Sequence, residues 1–246
     1  MTTLRELAVD AAAHTPLWPG IERIDDPRFC VLFLEHMTFV QRLRLGEDEI
    51  DGAIDDVRAL AAERGRGRTL WWVGDGAEPA DLVPRLRARG LVPFGDETLA
   101  AMALEGEPRA TGTVPIHTVE SLDDYRTALA IEAETLGHPV DEDFAVHKWR
   151  LLDGSTELRH HLAIVAGEPV AMGRSAFGEA VFLMGGATLP RARRRGAYTA
   201  LIAARHRDGG SRPLVAQASS ESRPILVRLG FRQVGEIHVL ADEGRR

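Results

Sequence analysis

The sequence predicts a layered α/β (α+β) protein made of two related halves, and three observations carry that reading. The apolar pattern switches repeatedly between a period of two and a period near 3.6. Glycine and proline punctuate almost every switch. A helix–strand ending, Ile225-x-x-x-Leu229-Gly230-Phe231, is loosely repeated as Leu82-x-x-x-Leu86-x-x-x-Gly90-Leu91.

The chain has 246 residues, 30 basic and 37 acidic, with 44% hydrophobic residues and one cysteine. That composition is ordinary for a globular protein with a core and disfavours disorder, collagen and coiled coil. A lone Cys30 excludes an internal disulfide framework and a multi-cysteine metal site. The start of the chain lacks a basic segment followed by an apolar core, and no stretch approaches the roughly 18 apolar residues of a spanning helix. A cytoplasmic protein is therefore expected, with no membrane partner. The net charge of −7 argues against a general nucleic-acid binder. Lys148 is the only lysine among many arginines, a bias that points to a GC-rich bacterial genome.

In the first half, Phe29 to Leu45 reads as strand, and Glu47 to Arg64 as a helix with Ile50, Ile54, Val57 and Leu60 on one face. Leu70 to Val73 is a strand, Pro79 to Arg89 a helix ending at Gly90, and a strand follows through Leu104. The polar stretch Glu105 to Gly112 has linker composition, which sets the boundary near residue 110: residues 1–110 form one domain and 111–246 the other.

In the second half, Thr113 to Thr118 is a short strand, and Ser121 caps a helix carrying Leu122, Tyr125, Leu129 and Leu136. A second helix fits Asp141 to Leu152. Leu158 to Ala166 and Val170 to Phe177 are strands joined at Gly167-Glu168-Pro169, a tight hairpin signal, and Val181 to Leu189 is a third strand. Ala197 to Asp208 is helical and closed by Gly209-Gly210, and Pro213 to Ala218 is a strand. Ser219 or Ser220 then caps a short helix through Leu229, and Phe231 to Leu240 is the last strand.

The sharpest chemical signal runs from Gly186 to Leu201, where a strand ends at Pro190, an Arg/Gly loop follows and a helix begins at once. Free N–H groups at a helix start point the same way and, with the helix dipole, favour an anion, while Gly196 allows close approach. From Arg191 to Arg212 seven arginines face Asp208 alone, which suits a polyanion such as a pyrophosphate better than a solvated turn. No aromatics interleave the arginines, as a nucleic-acid groove would require. The similar Arg64-Gly65-Arg66-Gly67 precedes a strand and has no helix start to offer. The counterpart in the first half falls near Gly46, where Glu47, Asp48, Glu49, Asp51, Asp55 and Asp56 would repel an anion.

The loop Arg193-x-x-Gly196-x-Tyr198 resembles the acetyl-CoA pyrophosphate motif of the GNAT superfamily of N-acetyltransferases, Gln/Arg-x-x-Gly-x-Gly/Ala, with Tyr198 departing at the last position. Ser222-x-Pro224-Ile225-Leu226-x-x-Leu229-Gly230-Phe231 is similar to the family's late helix and its Leu-Gly-Phe ending, so the resemblance covers about residues 113 to 241. It implies a mixed, mostly antiparallel sheet flanked by helices, a degenerate GNAT-like first half without a cofactor loop, and an acetyl-CoA-dependent N-acetyltransferase in the second. The acceptor implied is a primary amine, of a small molecule or of a protein N-terminus or side chain, attacking directly in a ternary complex. Cofactor contacts are expected from Gly186, Ala187, Thr188, Arg193, Arg194, Arg195, Gly196, Ala197, Tyr198, Ser219 and Ser222. The strand before the loop is expected to splay from its neighbour, leaving an N–H to polarise the acetyl carbonyl.

Many family members carry a tyrosine acid in the late helix; the matching position is Leu226, and Tyr198 is the remaining candidate proton donor. Glu132, Glu134 and His138 are the candidate bases, at the end of the first helix of the second half, each weighed against a plain surface role. Adjacent His160 and His161 point to opposite strand faces and do not read as a metal site. Ser175 and Cys30 read as structural, and Trp71, Trp72 and Trp149 as core or interface residues. A non-catalytic acyl-CoA-binding sensor is the alternative reading, and homodimerisation through the acidic first half stays open.

Overall fold

Ser121 accepts the N–H of Asp124 on its hydroxyl, so one helix starts where the sequence puts a cap, and Asp141, read as the first residue of the next helix, is that helix's cap, its carboxylate accepting the N–H of Phe144. The structure, a computed structural model, describes residues 2–34, 37–137 and 140–244. Its elements are α1 Leu4–Val9, α2 Ala11–His14, β1 Glu22–Asp25, β2 Cys30–Phe33, β3 Thr38–Gln41, α3 Ile50–Ala62, β4 Thr69–Gly74, α4 Leu82–Ala88 and β5 Val92–Leu104. Then follow β6 Ile116–Thr118, α5 Leu122–Leu136, α6 Glu142–Leu152, β7 Leu158–Val165, β8 Glu168–Phe177, β9 Val181–Thr188, α7 Ala197–Gly209, β10 Leu214–Ala218, α8 Arg223–Arg228 and β11 Arg232–Asp242. None of the described helices is long and apolar enough to cross a membrane.

Two compact units emerge. The first comprises Met1–Met102, Gln217–Pro224 and Gln233–Arg246, the second Ala103–Ala216 and Ile225–Arg232. The sequence boundary near 110 lies in the loop after β5, but the last strand groups with the first unit. In that unit β11 pairs antiparallel with β4, from Ile237 opposite Gly74 to Asp242 opposite Thr69. Nothing local in β11 names its neighbour, because the ladder is made with a segment about 170 residues earlier in the chain.

The first unit's strands run in the order β1-β2-β3-β4-β11-β5. Phe29 to Leu45, read as a single strand, is in fact two, β2 and β3, paired antiparallel from Cys30 opposite Gln41 to Phe33 opposite Thr38. The core sets Trp71, Phe29 and Val40 of the sheet side against Ile50, Ile54 and Val57 of α3 and Leu82 and Leu86 of α4. α1, opened by a Thr3–Glu6 capping box, is absent from the sequence-based reading, as are α2 and β1.

The second unit's strands run in the order β10-β9-β8-β7-β6, antiparallel throughout except β10 with β9. The turn between β7 and β8 is Ala166-Gly167, at φ 54° and 83°, which match the twist of a tight hairpin; Glu168 and Pro169, read as part of the turn, already belong to β8, opposite Val165 and Ile164. α5 packs Ala128 and Ile131, and α7 packs Ala197 and Leu201, into a core with Leu162, Ala171 and Met172. Both units contain the same connection: strand, loop, helix, then a parallel strand paired over two residues, Phe39–Leu70 and Val40–Trp71 in one, Val181–Leu214 and Phe182–Val215 in the other.

Candidate functional site

The described ladder between β9 and β10 stops after Phe182, and from Leu183 to Thr188 the recorded partners of β9 lie on β8. Within that stretch the register slips, Gly186 opposing Gly173 while Met184 opposes Arg174, so Gly185 is an extra residue, a bulge at φ 45°. Gly185 and Gly186 are exposed, whereas Ala187 is buried. The splayed strand anticipated from the sequence is thus present, with the Gly-Gly pair at its bend.

After β9 the chain makes a short 3-10 turn, Pro190–Ala192, and reaches α7 through Arg193, Arg194, Arg195 and Gly196. Arg194 at φ 64° and Gly196 at φ 82° turn the backbone left-handed just before the helix. Ala200 donates to the Gly196 carbonyl, 3.0 Å, which closes the first turn. The N–H groups of Ala197, Tyr198 and Thr199 therefore precede the first intrahelical bond, and no side chain caps them. A Cβ on Gly196 would meet only Val114 Cγ2, at 3.9 Å, so an open cradle lies over the helix start. A phosphate fits this arrangement: aligned donors, the positive helix end and room for approach.

The arginines divide in use. Arg193, Arg194 and Arg195 are exposed, and among the described residues none of the three has an ion pair; Arg193 Nε reaches the Thr188 carbonyl at 3.5 Å. Arg191 is held by Glu134, 2.9 Å. Arg205 is buried within α7 and points into the sheet.

Tyr198 turns its ring away from the open cradle and onto β9, with Cε2 3.1 Å from where a Cβ on Gly186 would stand. Burial raises the phenol pKa, so it is protonated across the neutral range. Glu132 is ion-paired with Arg174, 2.8 Å, and is only 13% exposed. Glu134 is exposed. His138 lies outside the described residues. Leu226 is 1% exposed, so the late-helix position is a core position here.

Ser219 and Ser222 belong to the segment Gln217–Pro224, which groups with the first unit. Their hydroxyls are 3.3 Å apart. Ser219 lines a cavity of about 230 Å³ in that unit with Asp96, Thr98, Arg223 and Glu236.

His160 and His161 do point to opposite faces. His160 stacks edge-on against Tyr125 of α5, while His161 Nε2 lies 2.9 Å from Asp208 of α7. Burial depresses both, to about 3 and about 4. Among the described residues no group of three or more His, Cys, Asp and Glu is placed to hold a metal ion. Cys30 is buried in β2 with its thiol pushed up to about 12, chiefly by burial. Trp71 is fully buried, Trp72 meets Phe39 edge-on, and Trp149 stacks obliquely on Tyr125.

In the first unit the counterpart of the loop is closed. Gly46 donates its N–H to the Glu49 carboxylate, 2.6 Å, so an internal anion occupies the place before α3. Arg64 of the other Arg/Gly stretch is tied to Glu22 and to the Leu60 carbonyl at the end of α3. Arg174 was not singled out in the sequence, and Arg205, counted there among the seven arginines suited to a polyanion, is instead 1% exposed and turned onto Gly173 of β8.

No protein-family model and no curated protein matches the sequence. Among solved structures, the chain is similar to a GCN5-related N-acetyltransferase from Kribbella flavida, at 18% identity, covering 100% of this chain and 97% of that one with a TM-score of 0.72. It is also similar to a functionally unknown conserved protein from Staphylococcus epidermidis, at 14% identity, 99% and 98% coverage and a TM-score of 0.67. A tandem GNAT protein from the clavulanic acid biosynthesis pathway matches at 14% identity, 98% and 94% coverage and a TM-score of 0.58. Over its whole length, then, this chain has the GNAT fold.

Proposed function

We propose that the protein belongs to the GNAT superfamily and is an acetyl-CoA-dependent N-acetyltransferase whose second unit binds the cofactor and acetylates a primary amine. The observation that carries this reading is the uncapped start of α7 behind Gly196, set beside a β9 edge that β10 leaves unpaired from Leu183 onward.

Bound acetyl-CoA would supply the thioester; transfer to an amine forms a C–N bond, breaks the C–S bond and releases a proton and the CoA thiolate. The N–H groups of Ala197, Tyr198 and Thr199, with Arg193, Arg194 and Arg195, hold the pyrophosphate. Backbone groups of Gly186, Ala187 and Thr188 pair with the pantetheine arm and polarise the acetyl carbonyl. The amine's proton goes to a base drawn from Glu132, Glu134 and His138. A thiolate with a pKa of about 8.5 leaves readily, and Tyr198, kept protonated by burial, donates to it.

A second reading, an acyl-CoA-binding sensor without turnover, is favoured by one observation: the late-helix position is the buried Leu226. The two separate on a panel of amines with acetyl-CoA. Release of free CoA thiol with any of them supports the enzyme; saturable binding with no thiol released from the whole panel supports the sensor.

A further inference from the structure

Arg174 sits where the register slips, opposite the bulge, and it is held at both ends. On the α5 face its guanidinium bonds Glu132, 2.8 Å, and lies flat on Gly185, whose Cβ would stand 2.9 Å from Nε. From the α7 face, Arg205 Nη1 reaches the Arg174 carbonyl at 3.4 Å, while Nε donates to the Leu201 carbonyl at 3.1 Å. The Arg205 guanidinium covers Gly173, whose Cβ would stand 3.0 Å from Cζ.

Arg205 is 1% exposed, and none of its described partners is a carboxylate. Burying an arginine so is costly, and a methionine or leucine would pack the same volume at less cost. In each pair, Arg205 with Gly173 and Arg174 with Gly185, the guanidinium lies in the space a side chain on the glycine would enter. Gly173 and Gly186 are register partners, so the two planes grip consecutive steps of one bend from opposite sides of the sheet.

We propose that Arg174, clamped by Glu132, and Arg205 form a two-sided clamp that fixes the β9 bulge and thereby aims the unpaired edge Leu183–Thr188 at the acyl group. This rests on the acyltransferase reading for its purpose, but the clamp itself is a property of the ligand-free protein. It gives Glu132, one of the three candidate bases, a positioning role. Backbone donors contribute to catalysis in proportion to how well they are pre-aimed, so loosening them lowers turnover more than it lowers binding at the distant pyrophosphate cradle.

The test uses full-length Arg174→Met and Arg205→Met, read by amide hydrogen exchange across residues 183–188 together with thermal unfolding. Exchange there is expected to rise about tenfold or more in either variant while α5 stays protected. Unchanged exchange at 183–188 in the folded variants overturns the clamp. If Arg205→Met fails to fold, Arg174→Met decides, since its side chain is 30% exposed and its loss leaves the α7 core intact. In steady-state assays kcat should fall about tenfold with the KM for acetyl-CoA within about threefold, and Arg205→Lys should recover part of the loss. Equal losses in both parameters would contradict a positioning role. A wild type that transfers no acetyl group would defeat the acyltransferase reading alone, and the exchange result would still decide the clamp.

Discussion

The ring of Tyr198 lies over Gly186, close enough that a Cβ there would stand 3.1 Å from Cε2. One residue thus serves two surfaces: its N–H opens α7 toward the anion cradle, and its ring closes the buried side of β9. That explains how a tyrosine is accommodated at the end of a loop motif that elsewhere ends in glycine or alanine.

Tyr198→Phe keeps the ring on Gly186 and removes only the hydroxyl. Acetyl-CoA affinity should be unchanged, and kcat should fall about a hundredfold, the lower end of the range for losing a general acid. An unchanged kcat would leave the thiolate departing unaided and Tyr198 as a packing residue.

Gly186→Ala should be costly in proportion to that contact, since the ring must retreat a few tenths of an ångström from β9. A loss of about 1–3 kcal/mol in urea unfolding is expected, the range for overpacking a filled site. A fully stable variant would mean that ring and strand are not in contact in solution.

Much of the second unit was legible because its signals are local. The Ser121 cap and the β7–β8 hairpin each act within a few residues, although the turn falls at Ala166-Gly167 and not over Gly167-Glu168-Pro169. The first unit was harder to read. α1 is six residues long, too short for a helical period to accumulate, and β1 is Glu-Arg-Ile-Asp, with no apolar alternation. β2 and β3 merged in the reading because each is only four residues long, too short for a period of its own to stand out. The loop Arg193–Gly196 could be found in one dimension, but the clamp behind it could not, because Arg174 and Arg205 meet only across strand and helix.

Two buried histidines give the second unit an acid limit. Their folded pKa values, about 3 for His160 and about 4 for His161, lie below the 6.5 of an unfolded chain, so the unfolded state binds more protons between those limits. Stability should therefore fall as pH drops from about 6.5 toward 4, by on the order of 1 kcal/mol per pH unit per histidine at most. His161→Gln should flatten that slope in urea titrations at pH 4.5–6.5; an unaltered slope would show that His161 is already protonated in the folded protein.

Glu49→Ala removes the internal anion from the Gly46 N–H, 2.6 Å away. Unfolding free energy should drop by about 1 kcal/mol, as for a lost helix cap. No second acetyl-CoA site should appear, because Glu47, Asp48 and Asp51 still surround the start of α3. Doubled stoichiometry in this variant would show that Glu49 alone had closed the first unit.

The central claim is tested most directly by calorimetric titration of acetyl-CoA into the wild type and Gly196→Asp. Aspartate tolerates the left-handed backbone at φ 82° better than most residues, so the variant should fold, about 1–2 kcal/mol less stable than wild type. Its carboxylate would lie where the pyrophosphate belongs. Binding of one acetyl-CoA per chain in the wild type, lost in the variant, is the predicted result; equal binding by both, or none by the wild type, would contradict the account.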